Sequence, residues 1–349
     1  MQHIGIDLGK TSSQVCILTE EGDLVERRIT TTRQSLTRLF SEREPSRVLI
    51  EASTESEWVA QHLEEMGHEV IVADPNFAPM YATRSKRVKT DRRDALCLAE
   101  ACRLGAYRRA HRTSPEQRQR RQMLCVREAL VRTRARYISI IKALVRQTGE
   151  RIQTRDSLRF AEKVRAMSLA EDLPATIAPL LEVMRSLNEQ ITALDEQLKA
   201  LVKRDPLINR LTSVPGVGAV TATNFVAILD EAERFDSAKQ VRAYLGLVPS
   251  EYSSGEQQRR GKLTKAGNQR MRYLLVEAAW ALLRWKQTGT EGLRQWAERI
   301  ASRRGRRIAA VALARKLAGL LYALWRDGTS FDPSRVRVCR DAPPQLVAA

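Results

Sequence analysis

Short apolar runs separated by polar turns dominate the first hundred residues. His3-Ile4-Gly5-Ile6-Asp7-Leu8-Gly9 and Gln14-Val15-Cys16-Ile17-Leu18 flank a polar turn at 10–13, and Leu24-Val25-Glu26-Arg27-Arg28-Ile29-Thr30 follows the turn Glu20-Glu21-Gly22-Asp23. Runs of this length between turn formers predict a three-stranded meander. A helix is expected over 32–43, a buried strand at Arg47-Val48-Leu49-Ile50-Glu51, a helix over 57–66 and another strand at Glu69-Val70-Ile71-Val72-Ala73-Asp74. A further helix runs to about Leu104. This alternation predicts a mixed α/β sheet domain.

From Ser114 the period becomes helical. Ser114-Pro115-Glu116-Gln117 has an N-cap serine, a proline at the first helical position and a glutamine three residues after the cap, the combination that starts a helix. Leu124, Val131, Ile138 and Val145 then recur every seven residues. After a polar break near Gly149 and prolines at Pro174 and Pro179, Met184, Leu187, Ile191, Leu194, Leu198 and Leu201 alternate three and four apart, which is an a/d seam. Two partners fit that seam equally: the Ser114 helix folded back on it, or a second copy of the chain. A C-terminal module begins near Asp205, with a Gly-x-Gly turn in Val214-Pro215-Gly216-Val217-Gly218 and helices over 269–288 and 292–325. The expected organisation is an α/β domain at 1–110, a helical coiled-coil and dimerisation region at 111–204, a mainly helical domain at 205–330 and a tail at 331–349.

The 349 residues suffice for two or three cores, and 43% hydrophobic content does not read as disorder. Lys and Arg number 59 against 41 Asp and Glu, a formal charge of +18 that asks for a polyanionic partner, nucleic acid first. A membrane is the weaker candidate, since no apolar run approaches the ~18 residues a spanning helix needs. The first seven residues have neither a charged n-region nor an apolar h-region, so a cytoplasmic protein is expected. Cys16, Cys97, Cys102, Cys125 and Cys339 are scattered without a Cys-x-x-Cys pair and favour neither disulfide nor zinc. With only His3, His62, His68 and His111 available, carboxylate and metal chemistry fits better than a histidine base. Four of the five tryptophans fall in apolar helical patterns and are expected to pack helices rather than stack on bases.

Asp7 and Glu51 each end an apolar strand, where open α/β sheets collect their active sites but where an acid is also easily explained as a turn former. Lys89-Thr90-Asp91-Arg92-Arg93-Asp94 sets two more carboxylates three residues apart among cations. Acids amid Arg and Lys suit a divalent metal that also meets phosphate, because the metal needs hard oxygens and the polyanion needs positive charge. Taken alone, Asp91 and Asp94 are better explained as a solvated salt-bridge helix. Four acids converging from neighbouring strands would change that balance. Arg87, Lys89, Arg92 and Arg93 are expected to contact phosphate there, and Arg120 and Arg121 to do so on the cationic Ser114 helix. Gly216 and Gly218 offer backbone N–H groups to phosphate in the manner of helix-hairpin-helix elements, with an inert helix-packing turn as the equal alternative. Ser253-Ser254-Gly255 stands beside Arg259, Arg260, Lys262 and Lys265, where composition alone favours a phosphate contact over a nucleophile.

Together these residues resemble the DEDD transposases of insertion sequences, the one-ten family with its Piv-type invertase kin. The resemblance spans nearly the whole chain. Gly5-Ile6-Asp7, Ile50-Glu51-Ala52 and Lys89-Thr90-Asp91-Arg92-Arg93-Asp94-Ala95 look like a RuvC-like, RNase H-type nuclease domain. Val214-Pro215-Gly216-Val217-Gly218, Gly246-Leu247-Val248-Pro249, Ser253-Ser254-Gly255 and Thr264-Lys265-Ala266-Gly267-Asn268 look like the family's transposase domain. Each motif is weak alone, and their order and joint presence are specific. The resemblance implies that Asp7, Glu51, Asp91 and Asp94 form a metal-binding tetrad for magnesium, a pair of ions activating the attacking oxygen and stabilising the leaving one. It implies a serine that attacks DNA and forms a covalent phosphoserine link. Pro-x-x-x-x-Ser-Gly lands on Pro249 and Ser254, with Ser253 the second choice and Ser250 a distant third. It further implies DNA as substrate, dimers that assemble to tetramers with a composite site, and a structured noncoding bridge RNA that pairs with target and donor. The invertase branch does without such an RNA.

Two other functions stay open on the residues themselves. A junction-resolving nuclease that hydrolyses DNA with water needs only the acids. A non-enzymatic nucleic-acid scaffold needs only the basic helices, with the acids as structural caps.

Overall fold

The computed structural model describes residues 1–19, 22–82, 90–154, 156–169, 172–252, 259–285 and 288–335, and the chain divides into two compact units, Met1–Thr113 and Ser114–Ala349. In the first, the apolar runs become β1 (His3–Asp7), β2 (Ser12–Leu18), β3 (Leu24–Thr30), α1 (Arg33–Phe40), β4 (Arg47–Glu51), α2 (Ser56–Glu65) and β5 (Glu69–Ala73). A 3-10 turn at Ala78–Tyr81 precedes α3 (Asp91–Leu104). The sheet order is β3-β2-β1-β4-β5, with the first three strands antiparallel and β1, β4 and β5 parallel. β1 and β4 are central and buried on both faces, which is why they read as unbroken apolar runs. β3 lies at the edge and carries Glu26, Arg27 and Arg28, charges that discourage further strand pairing.

Side-chain alternation assigns each sheet face its cover. Ile4, Ile6, Val48 and Ile50 pack on Leu36 and Phe40 of α1 and on Val59 and Leu63 of α2. Leu49 and Ile71 point the other way, to Leu98 and Cys102 of α3. Gly5 also lies on the α3 side: a Cβ there would stand 2.3 Å from both the Ala95 carbonyl oxygen and the Ala99 nitrogen. The α3 backbone therefore rests directly on β1, which only a residue without a side chain permits.

In the second unit Ser114 caps α4 (Pro115–Gln147) as expected, its Oγ accepting from the Gln117 N–H. Its own N–H and hydroxyl donate to the Asp230 carboxylate at 2.9 and 2.6 Å. After α5 (Phe160–Arg165), α6 (Leu173–Arg204) runs back along α4. Arg127 bonds Asp195, Arg134 bonds Asn188, and Ile141 and Val145 share a cluster with Leu181 and Met184. Of the two partners open to the a/d seam, the structure supplies the one inside the chain. α6 begins before both prolines: Pro174 falls in the first turn, where its missing N–H has no partner to lose, and Pro179 is accommodated further in. Of the helical region expected at 111–204, residues 114–204 lie in this second unit and 111–113 in the first.

α7 (Pro206–Thr212) and α8 (Ala219–Leu229) bracket the Gly-x-Gly turn, and α9 (Ala238–Tyr244) follows. β6 (Pro249–Glu251) then pairs antiparallel with β7 (Arg260–Leu263). α10 (Gln269–Arg284) comes next. The single helix expected over 292–325 is in fact two, α11 (Glu291–Arg304) and α12 (Arg306–Arg326), broken at Gly305 with φ +85°. Glycine takes that backbone cheaply, and four flanking arginines would repel one another along a continuous helix. α12 corrects a second expectation: a window of 18 residues with mean hydropathy 1.5 makes it long and apolar enough to cross a membrane. Of that window 56% is buried in the protein, where Leu313, Leu317, Leu321 and Tyr322 join Phe225 of α8 and Leu275 of α10 in the main core. Its apolarity is thus explained by packing.

Candidate active site

A cavity of about 470 Å³ in the first unit is lined by Asp7, Glu51, Asp91 and Asp94, together with Ser12 and Tyr81. Asp7 ends β1 and Glu51 ends β4, and these strands are parallel neighbours in the register Ile6↔Ile50, so the two acids stand side by side. α3 contributes Asp91 as its first residue and Asp94 one turn later, on the same helix face. Thr90 opens the helix as N-cap, its Oγ1 accepting from the Arg93 N–H at 3.3 Å. Carboxylates in a first turn are favoured by the helix dipole, which helps the fold tolerate two of them there. Asp94 is only 7% exposed, whereas Asp91 is open to solvent. The Tyr81 hydroxyl donates to Glu51 Oε1. Sequence reasoning missed Tyr81, which sits on a short turn with no periodic signal. It also passed over what Gly5 does, although a glycine inside an apolar strand is a recognised mark of close backbone approach.

Among the described residues, no three His, Cys, Asp or Glu side chains are drawn tightly enough together to hold an ion by themselves. The donor set around the cavity is nevertheless entirely carboxylate oxygen, the kind hard divalent cations take. Magnesium-sized ions are commonly held through one or two carboxylates, water and substrate phosphate rather than by an all-protein cage. The residues present fit a divalent ion that meets its phosphate in the site.

The expected phosphate contacts divide. Arg92 and Arg93 are exposed on α3, Arg92 in an ion pair with Glu26 of β3. Arg87 and Lys89 lie outside the described residues, as do Ser253 and Ser254. Arg120 and Arg121 are turned inward, contrary to expectation. Arg120 is 8% exposed and donates to Glu116 and Asp205 at 2.6 and 2.8 Å. Arg121 donates to the Ala227 and Ile228 carbonyls at 2.7 and 3.1 Å, and burial lowers its pKa. The C-terminal carbonyls of α8 lack intrahelical partners, and Arg121 satisfies two of them while Arg120 joins α4 to the start of α7. These cations hold the base of α4 in place.

Gly216 backs onto α10, where a Cβ would lie 2.9 Å from the Ala278 carbonyl oxygen, while Gly218 faces open space before α8. Arg259, Lys262 and Lys265 are exposed, and Arg260 lies on β7. Ser250 donates from its hydroxyl to the Lys262 carbonyl at 3.0 Å across the hairpin. Two motifs far apart in sequence meet at the root of that hairpin. A Cβ on Gly246 would stand 2.1 Å from the Ala266 oxygen, and one on Gly267 would stand 2.0 Å from the Tyr244 oxygen. The paired glycines pin the segment on either side of the serines.

Comparison with known proteins agrees with this organisation. Residues 4–149 match a DEDD-type family model described as "Transposase", and residues 208–293 match "Transposase IS116/IS110/IS902 family". A "Probable family 20 transposase" of Pseudomonas aeruginosa is 33% identical over 95% of this chain and 99% of its own length. The chain belongs to the IS110-type family of DEDD transposases. Other members include the "Transposase for insertion sequence element IS1111A" of Coxiella burnetii, 29% identical over 92% of this chain and 88% of that protein. The "Pilin gene-inverting protein" of Moraxella lacunata is 24% identical over 79% of this chain and 77% of that one. Family membership makes this transposase an enzyme of DNA recombination, and the DEDD domain points to a divalent metal.

Proposed function

We propose that this transposase cuts and rejoins DNA by transesterification through a covalent phosphoserine, using an RNase H-like, RuvC-type domain at its N-terminus. The observation that carries the reading is the meeting of Asp7, Glu51, Asp91 and Asp94 at one cavity. The strand order β3-β2-β1-β4-β5, antiparallel in its first three strands, supports the domain assignment. The four acids would hold magnesium, a pair of ions that when bound polarises the scissile phosphate and offsets charge on the entering and leaving oxygens. Ser254 is the nucleophile, with Ser253 the second choice. Its Oγ bonds to phosphorus as the bond to a deoxyribose oxygen breaks, and the serine proton ends on that leaving oxygen. A hydroxyl of the new strand reverses the exchange, so phosphodiester bonds are conserved and no nucleotide cofactor is consumed. Arg92, Arg93, Arg259, Arg260, Lys262 and Lys265 contact phosphate and set register without reading bases. Sequence is read by a structured noncoding RNA, and the active form is a dimer that assembles to a tetramer.

The test is a denaturing gel of protein incubated with Mg²⁺, element-end DNA and RNA transcribed from the flanking DNA. A covalent protein–DNA adduct should form and should vanish in Ser254→Ala and in Asp94→Asn. An adduct that survives Ser254→Ala but not Ser253→Ala moves the nucleophile by one residue. Free 5′-phosphate ends without adduct, unaffected by either serine substitution, replace the reading with a water-using nuclease. The presence of all four acids in one unit would suit that nuclease. Cleavage that survives Asp91→Ala and Asp94→Ala removes the metal tetrad altogether.

A further inference from the structure

A cavity of about 940 Å³ opens in the second unit between the β6–β7 hairpin and α11–α12. Its floor is apolar, built from Leu263, Trp296, Ile300, Ile308 and Val311. Ile308 stays 49% exposed. Its walls carry Arg242, Lys262, Lys265, Arg304, Arg307 and Arg315, and no acid lines it among the described residues. An apolar floor under cationic walls suits a ligand that is both flat and anionic. The volume falls within the range of pockets that enclose small organic ligands.

Arg242 is the decisive residue. From α9 it reaches to α12, where a Cβ on Gly319 would lie 2.2 Å from its Nη2 and 2.6 Å from its Nε. Glycine in a helix interior costs backbone entropy, and here it makes room for a guanidinium. The Nε is buried and has no hydrogen-bond partner among the described residues. Burial and the neighbouring Arg315 both lower the Arg242 pKa, yet a guanidinium keeps its proton in proteins. Arg242 also lines the cavity, where no acid stands among the described residues, so a counter-charge is expected from outside the fold. Lys316 lies 4.6 Å from the Trp296 ring centroid and covers that face, which leaves the aliphatic floor for a ligand.

We propose that this cavity seats one unpaired nucleotide of a single strand, its base on the floor around Ile300 and Ile308 and its phosphate on Arg242 and Arg315. The inference rests on the proposed function, in which the chain handles nucleic acid. In a duplex the base faces are stacked on one another, so only a base lifted out of the stack, or one in a single strand, can enter an apolar concavity.

Binding is measured by fluorescence anisotropy on the full chain carrying Asp94→Asn, which silences cleavage. The probes are oligothymidylate, oligouridylate and a DNA duplex of equal length. Combined Arg242→Met and Arg315→Gln should weaken single-strand binding ~10-fold, with duplex binding within ~2-fold. The slope of log affinity against log salt should become shallower by about 0.7 for each phosphate that is no longer neutralised. Ile308→Ser should weaken single-strand binding ~5-fold at unchanged salt dependence. Arg242→Met should melt no lower than its parent, because it removes a buried, unsatisfied Nε–H while keeping an apolar stem. Should it melt lower, Ile308→Ser carries the test. Tighter oligouridylate binding assigns the strand to RNA, and tighter oligothymidylate binding assigns it to DNA. Unchanged single-strand affinity in the variants, or an equal weakening on duplex, overturns the pocket. A parent protein that binds none of the three probes overturns the nucleic-acid reading itself.

Discussion

Gly5→Ala adds a single methyl group where β1 and α3 touch. The new Cβ would lie 2.3 Å from two backbone atoms of α3, against 3.4 Å for ordinary contact, so the helix must retreat by about 1 Å. Overpacking of this kind costs about 1–3 kcal/mol when side chains can yield, and here the obstacle is backbone. Hydrogen exchange followed by mass spectrometry reads the cost locally: amides of α3 should exchange ~5- to 150-fold faster. Peptides from α10 and α12 should be unaffected. The same retreat carries Asp91 and Asp94 away from Asp7 and Glu51, and a misplacement of ~1 Å at reacting groups costs about 100-fold in rate. Metal-dependent cleavage should therefore fall far more than the amount of folded protein. Unchanged exchange in α3 with full cleavage would refute the claim that helix and strand meet at Gly5.

The remaining expectations concern groups that the fold keeps from solvent. Arg120→Leu should lower stability by about 1–3 kcal/mol in urea, since Glu116 and Asp205 lose a shared partner. Its DNA affinity and salt dependence should stay those of the parent, and a fall in affinity without loss of stability would put Arg120 on the phosphate after all. Burial pushes the Cys16 and Cys102 thiols up to about 12, while Cys125 is exposed. Near pH 8 iodoacetamide should label Cys125 and spare those two until urea is added, as read by peptide mass spectrometry. Equal labelling rates would count against the packing of α3 on the sheet. Because each folded-state value lies above the unfolded value of 9.0, their contribution to stability is held below pH 9 and lost as the pH climbs toward 12.

The candidate site was more legible than the helices around the second core. Asp7 and Glu51 stand out because each closes a short apolar run, although an acid there is as readily a turn former. Asp91 and Asp94 became informative only through strand adjacency, which no local pattern supplies. The Ser114 start was readable because a cap, a proline and a glutamine act within one turn. Arg120 and Arg121 were not, since a helix rich in arginine gives no sign of which guanidinium will meet a carboxylate or an open carbonyl from another element. α12 was passed over as an apolar run because Arg315 and Lys316 interrupt it, although the window around them is apolar enough for a span and 56% buried by packing. The β6–β7 hairpin was hidden because its strands are brief, and the glycines that clamp it lie some twenty residues apart.

The α4–α6 pair also forms a long arm fixed at its base. With 33 residues at ~1.5 Å each, α4 is about 50 Å long. Its base is riveted by the Ser114–Asp230 bonds, the Arg120–Asp205 pair and the grip of Arg121 on α8. Its far end is tied by a separate small cluster around Phe160, Val164 and Ile177. A tilt of only about 5° at the rivets would swing that end by ~4 Å, close to the ~3.4 Å spacing of nucleotides along a DNA strand. Any small change in angle at those bonds would therefore be amplified at the far end of the helix pair.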